Sequence, residues 1–282
     1  MNYIKKTLAI VTVSFVALVV SYNLWGYLTL GTISPNSDAE RDNLANRVVM
    51  IFGATGSAGD GLLKAAIEDP NIEKVYVVTR RTAPRIDAGV VSGKVVMYLH
   101  KDFTDYSSML EVLPEVNTVL WSLGTSSLKV DEDTYTKIHV DFPLSFISSW
   151  LSVRTDAPMA FHFVTGMGTG AAKSARWARD KARTEKEMAK MAENTGLRTF
   201  SYRSAYIRPT QDQSNLLSYF GEWIMRPGDL VVTATDLGRA MLEISARTQE
   251  LDNGTIIDNA DTNDFAEAYK QANNLQSGFD GR

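Results

Sequence analysis

Apolar positions fall into three regimes along the chain, and each regime predicts a different kind of element. The first is an unbroken run over residues 7–30 without a single charged side chain. As a helix it would be about 36 Å long, enough to cross a hydrocarbon core of about 30 Å. Tyr22, Trp25 and Tyr27 gather toward its far end, where aromatic rings settle at a lipid–water boundary. A cleavable signal peptide is the rival reading, but Val19-Val20-Ser21 is a poor cleavage site and the apolar run continues past it. The expectation is a single transmembrane anchor. The second regime, residues 31–46, is polar with Pro35, Asn36 and Ser37 at its centre, and predicts a tether.

The third regime, residues 47–282, alternates short apolar runs with amphipathic stretches. Val48-Val49-Met50-Ile51-Phe52 is continuously apolar, as a strand buried on both faces of a parallel sheet must be. Further strands are predicted at 75–79, 95–99, 118–121, 160–164 and 198–202, and helices at 57–68, 133–150 and 171–194. Strand–helix alternation implies right-handed crossovers and an α/β fold with a doubly wound parallel sheet. The last third is less regular. Helices at 214–225, 235–246 and 263–273 and a strand at 254–258 are expected to form a small C-terminal cap over the open side of the sheet, where a substrate would sit.

Composition narrows the chemistry. The net charge is −4 and the basic residues form no dense face, so no nucleic-acid partner is expected. There is no cysteine, which excludes disulfides, thiolate catalysis and the common structural zinc sites. The histidines, His100, His139 and His162, are far apart without ligand spacing, so no metal site is expected.

The strongest motif follows the first strand: Gly53-Ala54-Thr55-Gly56-Ser57-Ala58-Gly59, running straight into a helix. In this context Gly53 permits the turn and Gly56 lets the backbone approach a pyrophosphate. Gly59 allows the helix to pack close to the strand. Thr55, Ser57 and Ala58 complete the turn, and the helix N-terminus offers N–H groups and a positive dipole end. A dinucleotide is therefore expected. The second strand ends in Thr79-Arg80-Arg81 with no carboxylate to accept from a ribose 2′-hydroxyl, and two guanidiniums suit a 2′-phosphate. NADP(H) is expected over NAD(H). Asp102, after the third strand, is placed to reach the adenine, and Leu123 and Gly124, after the fourth, to line the middle of the cofactor.

Together these residues resemble the atypical branch of the short-chain dehydrogenase/reductase superfamily, whose cofactor domain is an NAD(P)-binding Rossmann fold. Within it, the chain is similar to the Tat-interacting-protein-like oxidoreductases. The resemblance covers about 48–246. It rests on the glycine turn, Thr79-Arg80-Arg81, Ser122-Leu123-Gly124-Thr125 and Phe163-Val164-Thr165-Gly166-Met167-Gly168, with Gly221-Glu222-Trp223 and Gly238-Arg239-Ala240-Met241-Leu242 later.

The resemblance implies a catalytic tyrosine and lysine four residues apart, with a serine or threonine after the fifth strand. In the family the lysine holds the cofactor ribose and lowers the tyrosine's pKa so that it can act as acid or base. The matching positions are Thr165, Trp177 and Lys181. Trp177 breaks the pattern, because an indole N–H does not ionise near neutral pH. Tyr202 and Tyr206 are the candidate substitutes. Otherwise the reaction needs no such acid, or the domain only binds cofactor. The remaining charges of the helix, from Lys173 to Lys190, read as solvated and partly paired with Asp180, Glu185 and Glu187.

Two functions stay open: a membrane-anchored NADP(H)-dependent oxidoreductase or isomerase for a small or lipophilic substrate, and a non-catalytic NADP(H)-binding sensor or scaffold. Lys5 and Lys6 before the span argue for a domain away from the cytosol, whereas the cofactor argues for the cytosolic face. The cytosolic face is expected, with an organelle lumen as the alternative. Asn253-Gly254-Thr255 is a glycosylation sequon that matters only in such a lumen.

Overall fold

The computed structural model describes residues 2–172 and 174–275, so Lys173 and the expected domain end at 282 lie outside the described residues. The strands are β1 (Val48–Phe52), β2 (Lys74–Thr79), β3 (Val95–Leu99), β4 (Thr118–Trp121), β5 (Met159–Val164), β6 (Leu197–Tyr202), β7 (Tyr206–Arg208), β8 (Val231–Thr233) and β9 (Thr255–Ile257). The helices are α1 (Asn2–Thr29), α2 (Ser57–Glu68), α3 (Pro84–Val91), α4 (Glu132–Thr136), α5 (Phe142–Leu151), α6 (Arg176–Ala192), α7 (Leu216–Met225), α8 (Ala234–Ala246) and α9 (Asn259–Ala272).

A seven-stranded sheet runs β3-β2-β1-β4-β5-β6-β9, with every neighbouring pair parallel. The period-two geometry of a strand divides the core between two faces. Val49, Ile51, Val75 and Val77 pack against Leu62, Leu237 and Phe265 of α2, α8 and α9. Met50, Phe52, Tyr76 and Val78 pack against Phe146, Trp150 and Met188 of α5 and α6. This is the doubly wound α/β sheet expected from the alternation. Chain order reverses between β1 and β4, which leaves a crevice at their carboxyl ends, the usual ligand position in such sheets.

The last third departs from the expected cap. β9 joins the main sheet beside β6. α8 belongs to the flanking layer, where glycines let it touch α2: a Cβ on Gly61 would stand 2.2 Å from the carbonyl carbon of Ala234, and one on Gly238 2.8 Å from Ala65 Cβ. What remains outside the sheet is the two-stranded β7-β8 pair and α7.

The helix expected over 133–150 is interrupted by a π-helical turn, Lys137–Asp141, between α4 and α5. The segment expected as a tether is strapped to the domain. Ile33 N–H donates to Asp261 (2.8 Å), Asp42 N–H to Ala246 O (2.8 Å), and Arg41 pairs with buried Glu243 (3.0 Å). α1 also touches the domain. Asn23 Nδ2 donates to Ile224 O (2.9 Å), and a Cβ on Gly26 would meet Gly228 O at 2.3 Å. The sequon asparagine is committed internally: Asn253 Nδ2 donates to Ala189 O (2.8 Å) and its Oδ1 accepts from Thr199 N–H (2.9 Å).

Candidate functional site

The glycine turn stands at the β1–β4 crevice. Gly53 has φ +82°, and a Cβ there would lie 2.6 Å from Leu123 N, so both the conformation and the approach of the β4 loop require glycine. Gly56 N–H donates to Gly53 O (2.9 Å), closing the turn, and Gly56 is then the N-cap of α2. A Cβ on Gly59 would stand 2.0 Å from Gly53 O, so the helix presses directly on the turn. No side chain caps the α2 N-terminus. Its first-turn N–H groups and the dipole end therefore face the crevice as a cradle suited to a phosphate.

Arg80 and Arg81 follow β2 on the exposed rim, and neither guanidinium forms an ion pair with another described residue. Asp102 is exposed and accepts from Thr104 N–H (3.0 Å), and hydrogen bonds from Thr104 hold its carboxyl below the usual range. Behind this rim, buried Asp60 is gripped by Arg85 of α3 (2.8 and 3.1 Å) and by Thr210 (2.6 Å), which ties the start of α2 to α3 and to the chain after β7.

At the end of β4, Gly124 makes room for His139. A Cβ there would meet His139 Cε1 at 2.8 Å. His139 lies in the π turn, a geometry frequent at functional sites. Its Nε2 is 3.0 Å from Thr125 O and 3.2 Å from Thr125 N, while Nδ1 is buried without a partner. Burial, reinforced by the Lys181 charge, pulls its pKa down to about 4, so the ring is neutral at physiological pH. α6 is bolted to this turn: Thr184 Oγ1 donates to His139 O (2.7 Å) and Thr136 Oγ1 to Asp180 (2.7 Å).

Lys181 is partly buried on α6 and makes no hydrogen bond or ion pair with another described residue. Burial brings its pKa down to about 8, with the Glu185 carboxylate acting in the opposite sense. One turn before it, the Trp177 ring lies on Gly168, where a Cβ would stand 2.5 Å from Cη2. One turn after it, Glu185 is buried and clamped by Arg203 (2.6 and 3.2 Å), not solvated as the charge pattern suggested. Thr165 is buried just after β5, its hydroxyl 3.0 Å from Thr169 Oγ1 and 3.2 Å from Glu185 Oε1.

The tyrosine substitutes fare differently from expectation. Tyr202 is fully buried, and its hydroxyl meets His162 Nδ1 at 2.8 Å, with Ser245 on the ring's other nitrogen (2.7 Å). Burial drives its pKa well above the usual value. It is a core residue beneath α8 and no proton donor for the crevice. Tyr206 donates to Ser218 O (3.0 Å) and so ties β7 to α7. Sequence reasoning missed His139, Glu185 and Arg203. Among the described residues, no group of three or more histidines or carboxylates is arranged to hold a metal ion.

This geometry has known counterparts. A short-chain dehydrogenase/reductase from Serratia marcescens superposes with a TM-score of 0.60 at 11% identity, covering 78% of this chain and 100% of that one. A 3-oxoacyl-[acyl-carrier protein] reductase from Brucella melitensis in complex with NAD gives 0.59 at 12%, covering 77% and 96%. The UDP-glucose 4-epimerase of Thermotoga maritima gives 0.56 at 14%, covering 82% and 84%.

The chain has the short-chain dehydrogenase/reductase fold.

Sequence similarity is thinner. No family model matches. The "Hybrid PKS-NRPS synthetase gkaA" of Penicillium citrinum is 31% identical over 70 residues, 25% of this chain, and the match spans only 2% of the synthetase. The "Leucinostatins biosynthesis cluster protein T" of Purpureocillium lilacinum is 21% identical over 209 residues, 74% of each chain. The structural likenesses show the Rossmann-type fold and do not single out the Tat-interacting-protein-like group. Among the described residues one helix, Tyr3–Thr29, is long and apolar enough to cross a membrane.

Proposed function

We propose that this protein is a membrane-anchored NADP(H)-dependent oxidoreductase acting on a small or lipophilic substrate. The observation that carries the reading is the Gly53–Gly59 turn, with an uncapped helix N-terminus at the point where strand order reverses. In this reading the backbone of Thr55, Gly56, Ser57 and Ala58 holds the pyrophosphate. Arg80 and Arg81 take the 2′-phosphate, Asp102 approaches the adenine, and Leu123 and Gly124 line the centre. Lys181 holds the nicotinamide ribose. When bound, NADP(H) supplies hydride exchange at its nicotinamide ring.

Proton supply is this chain's own departure. With Trp177 at the tyrosine position and Tyr202 in the core, Lys181 is the candidate acid in the crevice. A pKa of about 8 leaves it protonated near neutrality yet able to give up the proton. Neutral His139 beside it preserves that charge balance, since a second cation would depress Lys181 further. The second reading is a non-catalytic NADP(H)-binding sensor or scaffold. It is favoured by the burial of Thr165, whose hydroxyl is already engaged by Glu185 (3.2 Å) and Thr169 (3.0 Å).

Calorimetry on the detergent-solubilised full chain tests the first step. NADPH should bind at least about tenfold tighter than NADH, and Arg80→Asp should abolish the preference, because a lost guanidinium–phosphate contact is worth about 1.5–3 kcal/mol. Binding of neither coenzyme would end the proposal. NADPH oxidation against ketones, enals and quinones then separates the readings. Turnover that Lys181→Met removes supports the oxidoreductase, and tight binding without turnover supports the sensor.

α1 is read as the anchor, with the domain on the cytosolic face where NADP(H) is abundant. Protease digestion of sealed vesicles decides the orientation: cleavage from outside right-side-out vesicles would place the domain on the other face.

A further inference from the structure

α7 is built the wrong way round for a helix in water. Its ten residues, LLSYFGEWIM, include none that is buried. Leu216 is 89% exposed, Leu217 74%, Phe220 52% and Trp223 72%. Their i, i+4 and i+7 spacing, with Tyr219 and Ile224 beside them, sets all of these on one face, and no charge interrupts it. The polar groups are on the other side, against the protein. Glu222 turns inward to buried Arg208 (2.8 Å), and Ser218 O accepts from Tyr206. A soluble helix buries its apolar stripe and shows its charges; α7 does the reverse.

Two observations say what covers the apolar face. The helix is clamped to α1: Asn23 Nδ2 donates to Ile224 O (2.9 Å), and the backbones of Gly26 and Gly228 touch. The groove between them, about 490 Å³, is lined mostly by apolar side chains, Val19, Leu24, Trp223 and Pro227 among them. Its one amide, Asn23, donates to Val19 O and Ile224 O, so the outer surface of α1 continues onto α7 with that single polar interruption. Tyr22 and Trp25, stacked at 5.7 Å, mark the same level of α1 as a boundary zone.

We propose that α7 is an in-plane membrane helix, its Leu217–Phe220–Trp223 face embedded in the acyl–headgroup boundary of the leaflet that α1 enters. The proposal rests on the reading of α1 as a span. It presses the domain against the bilayer through the element next to β7, and the α1–α7 groove opens to lipid.

The absence of cysteine makes the test clean, because each introduced thiol is unique. Leu217→Cys, Phe220→Cys, Val13→Cys and Leu128→Cys replace exposed side chains and are labelled with a nitroxide in the full chain, reconstituted into phosphatidylcholine vesicles. Collision rates with oxygen, which partitions into lipid, and with a water-soluble nickel chelate are compared. Labels at 217, 220 and 13 should favour oxygen severalfold over the label at 128. Nickel access at 217 and 220 equal to that at 128, with 13 still in lipid, would overturn the proposal and leave the anchor standing. Nickel access at 13 as well would remove both. Labels at 217 and 220 shielded from both agents and broadened by a neighbouring spin would assign the face to a second copy of the chain, which also overturns the proposal.

Discussion

The indole of Trp177 rests on the backbone of Gly168, so closely that a Cβ on the glycine would stand 2.5 Å from Cη2. The residue that replaces the expected tyrosine is therefore packed against the loop after β5, and the loop's glycine is matched to it. Gly168→Ala should destabilise the chain by about 1–3 kcal/mol through overpacking. Most of that loss should vanish in a Trp177→Ala background, since the two side chains then no longer compete for space. Chemical denaturation of the four variants in detergent reads the coupling, and equal penalties in both backgrounds would disprove the contact.

Gly53 and Gly56 separate folding from binding. Gly53 has φ +82° and the β4 loop against it, so Gly53→Ala should cost about 1–3 kcal/mol. Gly56 has φ −90°, and its nearest obstacle to a Cβ is Gly53 O at 3.3 Å. Gly56→Ala, at the N-cap of α2, should cost about 1 kcal/mol or less, yet weaken NADPH binding at least severalfold because the methyl enters the phosphate cradle. Thermal unfolding and calorimetry on the same samples check the pair.

Neither candidate tyrosine should matter to turnover. Tyr202→Phe leaves the buried His162 Nδ1 without a partner and should cost about 1–3 kcal/mol with unchanged kcat. Tyr206→Phe removes only the bond to Ser218 O and should cost about 1 kcal/mol. A large fall in kcat for either variant, with the fold intact by circular dichroism, would return that hydroxyl to the mechanism.

The lowered pKa values of His139 and Lys181 both make stability rise with pH, in two separate windows. His139 falls from 6.5 to about 4, so between those values the unfolded chain takes up a proton that the folded one refuses. Stability should therefore drop on acidification through that window, by at most roughly 3 kcal/mol from this residue, and be flat above it. His162, also lowered by burial, acts in the same direction, so the difference between the wild type and His139→Gln isolates His139.

Lys181 falls from 10.5 to about 8, and across that range the unfolded chain again binds the extra proton, so stability rises with pH. In the proposed cofactor complex, dinucleotide affinity should move the other way, weakening above about pH 8 as the Lys181 ammonium loses its charge. Lys181→Met should flatten both profiles, which urea titrations and calorimetry across pH would reveal.

Much of the sheet was legible from the chain alone. β1 and β4 read as apolar runs because both faces of the sheet are covered there and a parallel strand so placed has no polar side to show. β3, at the sheet edge, is apolar in sequence yet leaves Val96 and Leu99 exposed. The phosphate turn was legible because glycine is dictated locally, by φ at Gly53 and by contact at Gly59. β7 and β8 were not: three residues each carry no period. The fate of Tyr202 was in the sequence unread, since at a spacing of two it shares a strand face with Phe200, and that face is covered.

By itself, the sequence determined the apolar helix, the alternation of strands and helices, the glycine cradle and the gap where a tyrosine was expected. All of these follow from backbone periodicity and steric limits acting over a few residues. Only the tertiary structure decided that Glu185 leaves the surface to hold Thr165, that His139 enters beside Lys181 on a π turn, and that α7 lies against α1 with its apolar face outward. Those meetings join residues from 20 to about 200 positions apart, and their partners are chosen by the crossovers that stack the layers, which no local pattern records.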